Sequence, residues 1–482
     1  GKDWTIKREK LSEQQRSAVR HILESRDSII LISGKAGVGK TTLMKEAVEA
    51  IESSGKKVFA FAPSTSASRG TLRDEGFKDA QTVAMLLKDE RLQQQVAGNV
   101  VWIDEIGTLG IKDMSRLLTL AEKQNFRLLL SGDRFQHHAV GRGEILRLLE
   151  EEAGILPAEV KEIQRQAGEY REAIQALSEG RVADGFKKLD GLKWIRQMPD
   201  GERDERMAAD YVEAQTQGKT ALCVSPTHVE GRRITAAIRD ALRKKGRLGS
   251  EERTFRVLEN ANLTEAERGD AVEYLPGDVL VFHQNAKGGF VRGQKLTVEL
   301  GKPLPLDQAA RFQAFHASTL SLAAGDIVRI TRNGMTADRK HALNNGALHC
   351  VKSFSKTGDL ILDNGWIVDK DFGHLAHGYV VTSHASQSAT VKRVFVGQSS
   401  QSFPASSAEQ FYVSCSRGRE SVTVYTDDKK ALLEAVKESD ERLSATELVG
   451  GERGRRMDAA REAQQRKSAE KQREWEGLSY DR

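Results

Sequence analysis

Gly34-Lys35-Ala36-Gly37-Val38-Gly39-Lys40-Thr41 fills every fixed position of the GxxxxGK[ST] pattern, and it follows the apolar run Ile29-Ile30-Leu31-Ile32. A buried strand that ends in small residues lets the backbone curl, so that successive N–H groups point inward at phosphate oxygens. Gly34, Gly37, Val38 and Gly39 form that cradle. Lys40 has the reach for the β and γ phosphates, the Thr41 hydroxyl can ligate Mg²⁺, and a helix beginning near Thr42 adds the positive end of its dipole. The stretch predicts a chain that binds and hydrolyses a nucleoside triphosphate on an α/β fold.

Working outward, short β-rich runs alternate with helical stretches from Leu11 to about Gly154: Ile29 to Ile32, Val58 to Ala62, Val100 to Ile103 and Leu128 to Leu130. That alternation implies a parallel sheet covered on both faces. A second series of the same kind begins with Ala221-Leu222-Cys223-Val224 and resumes with Tyr379-Val380-Val381, Val394-Phe395-Val396 and Val422 to Tyr425. Between its halves, residues from about 246 to 374 change character. "PGDVLVFHQNAKGGFVRGQ" from Pro276 and "AGDIVRITRNG" from Ala324 share Gly-Asp, alternating apolar residues, then Asn and Gly. Two short β modules on similar turns fit this pattern, and so does a chance likeness between two hairpins, because Gly-Asp and Asn-Gly are ordinary turn chemistry.

Composition narrows the class. The chain has 482 residues, 39% hydrophobic and 30% charged, with a net charge of +5. So mild a basic balance permits nucleic-acid binding without demanding it. Cys223, Cys350 and Cys415 are odd in number and far apart, which excludes a disulfide framework and suits a reducing, cytoplasmic setting. No apolar run approaches the roughly 20 residues needed to span a bilayer, and no signal peptide pattern opens the chain, so no membrane insertion is expected. Gly1 in place of Met fits an excerpt of a longer polypeptide. From Glu452 to Glu476 charges of both signs crowd together, as in a solvated helix or a disordered tail.

The pair Asp104-Glu105 ends the strand that follows Asn99. Asp104 can hold Mg²⁺ and Glu105 can polarise the attacking water as general base. Gly132-Asp133-Arg134-Phe135-Gln136 follows the next strand, and it reads either as a γ-phosphate sensor through the Gln136 amide or as a simple strand-to-turn Gly-Asp. His137 and His138 read equally as a base-stacking pair or as turn residues.

Taken together these motifs resemble superfamily 1 helicases of the RecD-like branch. "LSEQQRSAV" from Leu11, the phosphate loop, "FAPSTSAS" from Phe61, "WIDEIG" from Trp102, "GDRFQ" from Gly132, "EIQRQ" from Glu162, "VTSHASQSAT" from Val381 and "YVSCSRGR" from Tyr412 stand in the order of that family. Longer phrases, among them "GDRFQHHAVGRGEILRLLEEEAGI" and "SFPASSAEQFYVSCSRGRESVTVYTDD", are similar to the helicase portion of MobF-class conjugative relaxases. Nothing matches the transesterase domain of that class, so relaxase activity is not expected of these residues.

The resemblance implies two RecA-like P-loop domains with a small β-rich, SH3-like insertion in the second. Residues 1–155 would form the first, 156–245 with 375–447 the second, 246–374 the insertion, and 448–482 the charged tail. It implies that Gln15 reads the adenine and that Arg165 and Arg417 reach the γ phosphate from the second domain. It also implies that Pro63, Ser64, Thr65, Thr227, Thr382, His384, Ser386 and Gln387 grip single-stranded DNA. Ser388 stands where the family usually has glycine. The implied activity is an ATP- and Mg²⁺-dependent, DNA-stimulated helicase moving 5′ to 3′, with an upstream relaxase domain or conjugation machinery as partner. A degenerate copy that only loads DNA and a repair motor of the same fold are the alternatives.

Overall fold

Ile30 and Ile32 pack into one hydrophobic layer while Leu31 between them packs into another. A strand whose successive side chains are all buried must lie inside a sheet covered on both faces. The structure is a computed structural model and describes residues 4–133, 145–387 and 389–439. Gln136, Ser388 and the tail from 448 to 482 lie outside the described residues.

The central sheet comprises β1 (Ile29–Gly34), β2 (Val58–Ala62), β3 (Gln81–Thr82), β4 (Val100–Ile103), β5 (Arg127–Gly132) and β6 (Ala158–Val160). Its order is β3-β2-β4-β5-β1-β6, and every pair is parallel. The order sets β5 between β1 and β4, so the phosphate loop and Asp104-Glu105 leave the same carboxyl edge of the sheet, one strand apart. Loops at that edge are where open α/β sheets gather their chemistry. The edge strand β6 lies past residue 155.

After β7 (Ile195–Gln197) and β8 (Ala221–Val224) the helix His228–Lys244 carries the chain out of this first compact unit, which extends to Arg232 and resumes at Val381. The second unit, Arg233–Val380, is β-rich. It contains β9 (Glu252–Asn260), β10 (Val279–Phe282), β11 (Lys295–Thr297), β12 (Phe312–Ala323), β13 (Ile327–Ile330), β14 (Gly334–Met335), β15 (Ala342–Leu343), β16 (Leu348–Phe354), β17 (Leu360–Leu362), β18 (Ile367–Val368) and β19 (Leu375–His377). These form a four-stranded sheet β11-β10-β12-β9, a five-stranded sheet β18-β17-β16-β13-β19 and the pair β14-β15.

The two Gly-Asp repeats make the same turn. Gly277 and Gly325 have φ of 97° and 93°, a backbone that favours glycine. In each, the aspartate carboxylate accepts from the amide three residues earlier: Leu275 N–H to Asp278 at 2.9 Å and Ala323 N–H to Asp326 at 2.7 Å. Asp326, fully buried, also receives both arms of Arg239 at 2.9 Å and the Tyr379 hydroxyl at 2.7 Å.

The chain re-enters the first unit through β20 (Val380–Val381), then β21 (Val391–Gly397) and β22 (Gly418–Thr426). The resulting sheet has the order β20-β8-β21-β22-β7, with parallel pairing of β8 with β21, β21 with β22 and β22 with β7. Both expected α/β layers are therefore present, with the β-rich segment inserted between β8 and β20.

Ahead of the first helix, Glu13–Glu24, the N-terminal segment is strapped onto the helix Lys40–Ser53 through one carboxylate. Glu46, with no exposed surface, accepts from the Trp4 indole (2.8 Å), the Lys7 amide (2.8 Å), and the Arg8 amide and guanidinium (3.2 and 2.9 Å). Burial, the largest influence, opposes its ionisation, but these hydrogen bonds together hold the carboxyl below the ordinary range. Its contribution to stability is therefore present at neutral pH and lost as pH falls through the folded-state pKa. Glu46→Ala is expected to cost about 3 kcal/mol in urea denaturation, since charged hydrogen bonds and a buried ion pair are lost together. A change under about 1 kcal/mol would show that the strap is ornamental.

Candidate active site

The phosphate loop has the backbone its sequence requires. Gly37 and Gly39 have φ of 81° and 76°, and a β-carbon on either would stand 2.7 Å from Arg165 Cβ or 2.6 Å from Gln15 Nε2. The helix starts at Lys40 with Gly39 as its cap, two residues before the expected Thr42. Thr41 and Thr42 thus sit in its first turn. Lys40 Nζ donates to the carbonyls of Gly34 (2.5 Å) and Lys35 (3.1 Å). Burial lowers the pKa of this ammonium, while Asp133, Asp104 and Glu105 act in the opposite sense.

At the end of β4, the Asp104 amide donates to Phe61 O at 2.9 Å, and Asp104 Oδ1 accepts from the Ser131 hydroxyl at 2.7 Å. Glu105 has φ 55° and ψ 39°. A left-handed conformation costs a non-glycine residue of order 1–3 kcal/mol, and such strain clusters at functional sites. Oxygen-only donors from Thr41 and Asp104 are the hard ligand set that Mg²⁺ takes from proteins.

Gln15 is buried against the loop, but its amide is largely committed. Nε2 donates to Val38 O at 2.7 Å, and Oε1 accepts the Ser12 amide at 2.9 Å in the capping box of the first helix. The amide thus ties the helix to the cradle, leaving a second N–H and a second lone pair for a base edge.

Arg165 and Arg417 come together from different segments. The Arg165 amide donates to Gly37 O at 3.1 Å, and its guanidinium to Ser416 O at 2.8 Å. Burial first, then repulsion by Arg417, pulls its pKa down to about 9. Arg417 is fully enclosed, donating to Val413 O (2.8 Å), Ser416 Oγ (2.7 Å) and Gln387 O. Burial lowers its pKa too, against the pull of Tyr412, Glu105 and Asp133.

The residues expected to grip DNA divide by exposure. Pro63, Ser64 and Thr65 follow β2, and exposed Ser64 caps the Ala67 amide at 3.0 Å. Thr227 and Thr382 follow neighbouring strands, β8 and β20, and cap the amides of Glu230 (3.3 Å) and Ala385 (3.4 Å). His384 is exposed. Ser386 is fully buried with its hydroxyl donating to Ser383 O at 2.7 Å, and Gln387 is buried as well. Their side chains sit beneath the surface rather than on it.

One participant carried no role in the sequence reading. Tyr412, fully buried in the helix Ala408–Cys415, donates its hydroxyl to Asp133 Oδ2 at 2.9 Å and receives the Ala36 amide at 2.9 Å. Its motif was evident, but only the fold brings it 376 positions back to the phosphate loop.

A family model described as "AAA domain" matches residues 10–200. The Multifunctional conjugation protein TraI of Escherichia coli K12 is 26% identical over 497 residues, covering 89% of this chain and 28% of that protein. The Conjugal transfer protein TraA of Rhizobium radiobacter is 26% identical over 398 residues, covering 82% of this chain and 31% of that one. The chain is homologous to the TraI/TraA conjugation proteins. It spans under a third of the length of either relative. In fold it is similar to a Pif1 helicase from Bacteroides in complex with ADP-AlF3 and single-stranded DNA, with a TM-score of 0.53 at 17% identity over 93% of this chain and 96% of that one. A second structure, Bacteroides Pif1 bound to single-stranded DNA, gives a TM-score of 0.52 at 18% identity, covering 87% of this chain and 93% of that one. No described helix is long and apolar enough to cross a membrane.

Proposed function

We propose that the chain is an ATP-driven motor that translocates 5′ to 3′ on single-stranded DNA and unwinds duplex during conjugative transfer. The observation that carries this reading is the convergence, within one compact unit, of a complete phosphate loop, Asp104-Glu105, the half-buried Arg165 and the fully buried Arg417, which bonds Gln387. Homology to TraI and TraA supports the conjugative setting, with a relaxase domain or transfer machinery as partner.

In this reading the two sheets are RecA-like domains and the β-rich unit is an accessory to the second. The loop amides and Lys40 bind the phosphates, and Lys40 Nζ exchanges its two carbonyl partners for phosphate oxygens. Gln15 fixes the cradle and touches the base. Thr41 and Asp104 would hold Mg²⁺, which supplies charge neutralisation at the phosphates when bound. Glu105 takes the proton from the attacking water, its carboxylate aimed by the left-handed turn. Arg165 and Arg417 donate to the γ phosphate as negative charge shifts toward the leaving oxygen, and Gln136 stands in the segment that follows Asp133. Planar, permanently charged forks suit that task. DNA is gripped by Pro63, Ser64, Thr65, Thr227, Thr382 and His384, with Ser386 and Gln387 supporting the grip from below. Short polar groups on phosphates hold a strand without reading its sequence.

Glu105→Gln is expected to retain ATP binding and lower DNA-stimulated turnover on the order of 10²-fold or more, the loss of a general base. Steady-state ATPase assays with and without oligo-dT measure it. Wild-type turnover in the variant would remove Glu105 from the mechanism, and a wild-type chain with no DNA-stimulated ATPase would leave only a DNA-loading role.

A further inference from the structure

Trp102 and Ser131 meet on neighbouring strands, β4 and β5, one at the centre of the wall behind the site and the other next to Gly132-Asp133. Neither has exposed surface. Trp102 Nε1 lies 2.8 Å from Ser131 Oγ, and Ser131 Oγ lies 2.7 Å from Asp104 Oδ1 and 3.5 Å from Ile103 O. An indole nitrogen can only donate, so it takes up an acceptor position on the serine oxygen and leaves the single hydroxyl proton for another partner. The carboxylate is nearer than the Ile103 carbonyl and carries charge, so the proton goes to Asp104. Buried from water, the order is fixed: indole to hydroxyl to carboxylate. The indole itself packs edge-to-face with Phe77, with ring centroids 4.9 Å apart at 70°.

We infer that Ser131 and Trp102 are positioning residues for Asp104, setting its carboxylate plane so that one oxygen is committed to the hydroxyl and the other is presented to a divalent cation. This rests on the reading of Asp104 as a metal-holding residue. Partners that orient a ligating carboxylate typically govern metal affinity by 10- to 100-fold. A second consequence is spectroscopic: cation binding at Asp104 changes the charge two hydrogen bonds from the Trp102 indole N–H.

Mn²⁺ binding in the presence of ADP, followed by electron paramagnetic resonance on the whole chain, tests the inference without turnover. Ser131→Ala is expected to weaken Mn²⁺ binding roughly tenfold while leaving ADP affinity in EDTA unchanged, and Ser131→Thr, which keeps the hydroxyl, is expected to restore most of it. A folded Ser131→Ala protein that binds Mn²⁺ as the wild type does overturns the relay. Should the wild type with ADP bind no Mn²⁺, the reading of the metal site fails and takes the inference with it. The ¹H–¹⁵N indole signals of the wild type give an independent arm that needs no change at Ser131. Trp102, assigned by elimination with phenylalanine variants of Trp4, Trp194, Trp366 and Trp475, is expected to shift when Mg²⁺ is added to the ADP-bound chain. A Trp102 signal unmoved by saturating Mg²⁺ counts against the relay whatever the serine variants do.

Discussion

Lys40→Ala is expected to abolish ATP turnover while single-stranded DNA affinity stays within a few-fold of wild type. Of the two loop lysines, Lys35 pairs with Glu179 at 3.2 Å, which leaves Lys40 to bridge two phosphates, and alanine supplies neither charge nor length. The present partners of the ammonium are two loop carbonyls, Gly34 O and Lys35 O, which solvent can satisfy once it is gone. Folding should therefore survive, and the residues proposed to hold DNA end other strands. Fluorescence anisotropy with labelled oligo-dT, run beside an ATPase assay, separates the two. Equal loss of DNA binding in a folded variant would mean that cradle and DNA grip are one surface, and turnover within tenfold of wild type would remove Lys40 from the chemistry.

The parts of the molecule written in short windows of sequence were legible. A strand, a glycine turn and a helix start occur within a dozen residues around Gly34, and the backbone there has only one economical path. The alternation of apolar runs gave two parallel layers, and the two Gly-Asp stretches proved to share a turn because glycine φ and an aspartate reaching back to its own amide are local matters. What escaped was long-range. Tyr412 reaches Asp133 across 279 positions, and Trp102 reaches Ser131 across 29; no local periodicity encodes either pairing. The sequence shows the Gln15 amide as a base reader but not its second task, since local capping chemistry takes one lone pair of its oxygen and the loop one N–H of its nitrogen. The resemblance implies that Ser386 grips DNA, and the sequence does not show that it falls on the buried side of the short helix Ser383–Ser386. A polar residue in a four-residue helix gives no amphipathic signal from which to judge its side.

Arg417→Lys is expected to lower DNA-stimulated kcat on the order of 10³-fold, at the lower end of what arginine fingers contribute, with ATP affinity changed little. The guanidinium serves three protein acceptors: Val413 O, Ser416 Oγ and Gln387 O. Of these, Gln387 belongs to the segment proposed to support the DNA grip, while Asp133 and Glu105 act electrostatically on the same group from the nucleotide side. A fork with five donors can turn one edge to phosphate and keep another on Gln387. An ammonium keeps the charge but is a single point with no second edge. The lysine variant should therefore lose two things at once: transition-state stabilisation, read as lower kcat at saturating DNA, and coupling, read as a smaller ratio of DNA-stimulated to basal turnover. Arg165, which donates to Ser416 O rather than to the Gln387 segment, should differ. Arg165→Lys is expected to lower basal and stimulated rates in parallel and leave their ratio near wild type. If both variants lowered the two rates in parallel, the Gln387 contact would have no part in communication between DNA and ATP. If Arg417→Lys weakened ATP binding with kcat intact, the arginine would be a ground-state ligand and nothing more.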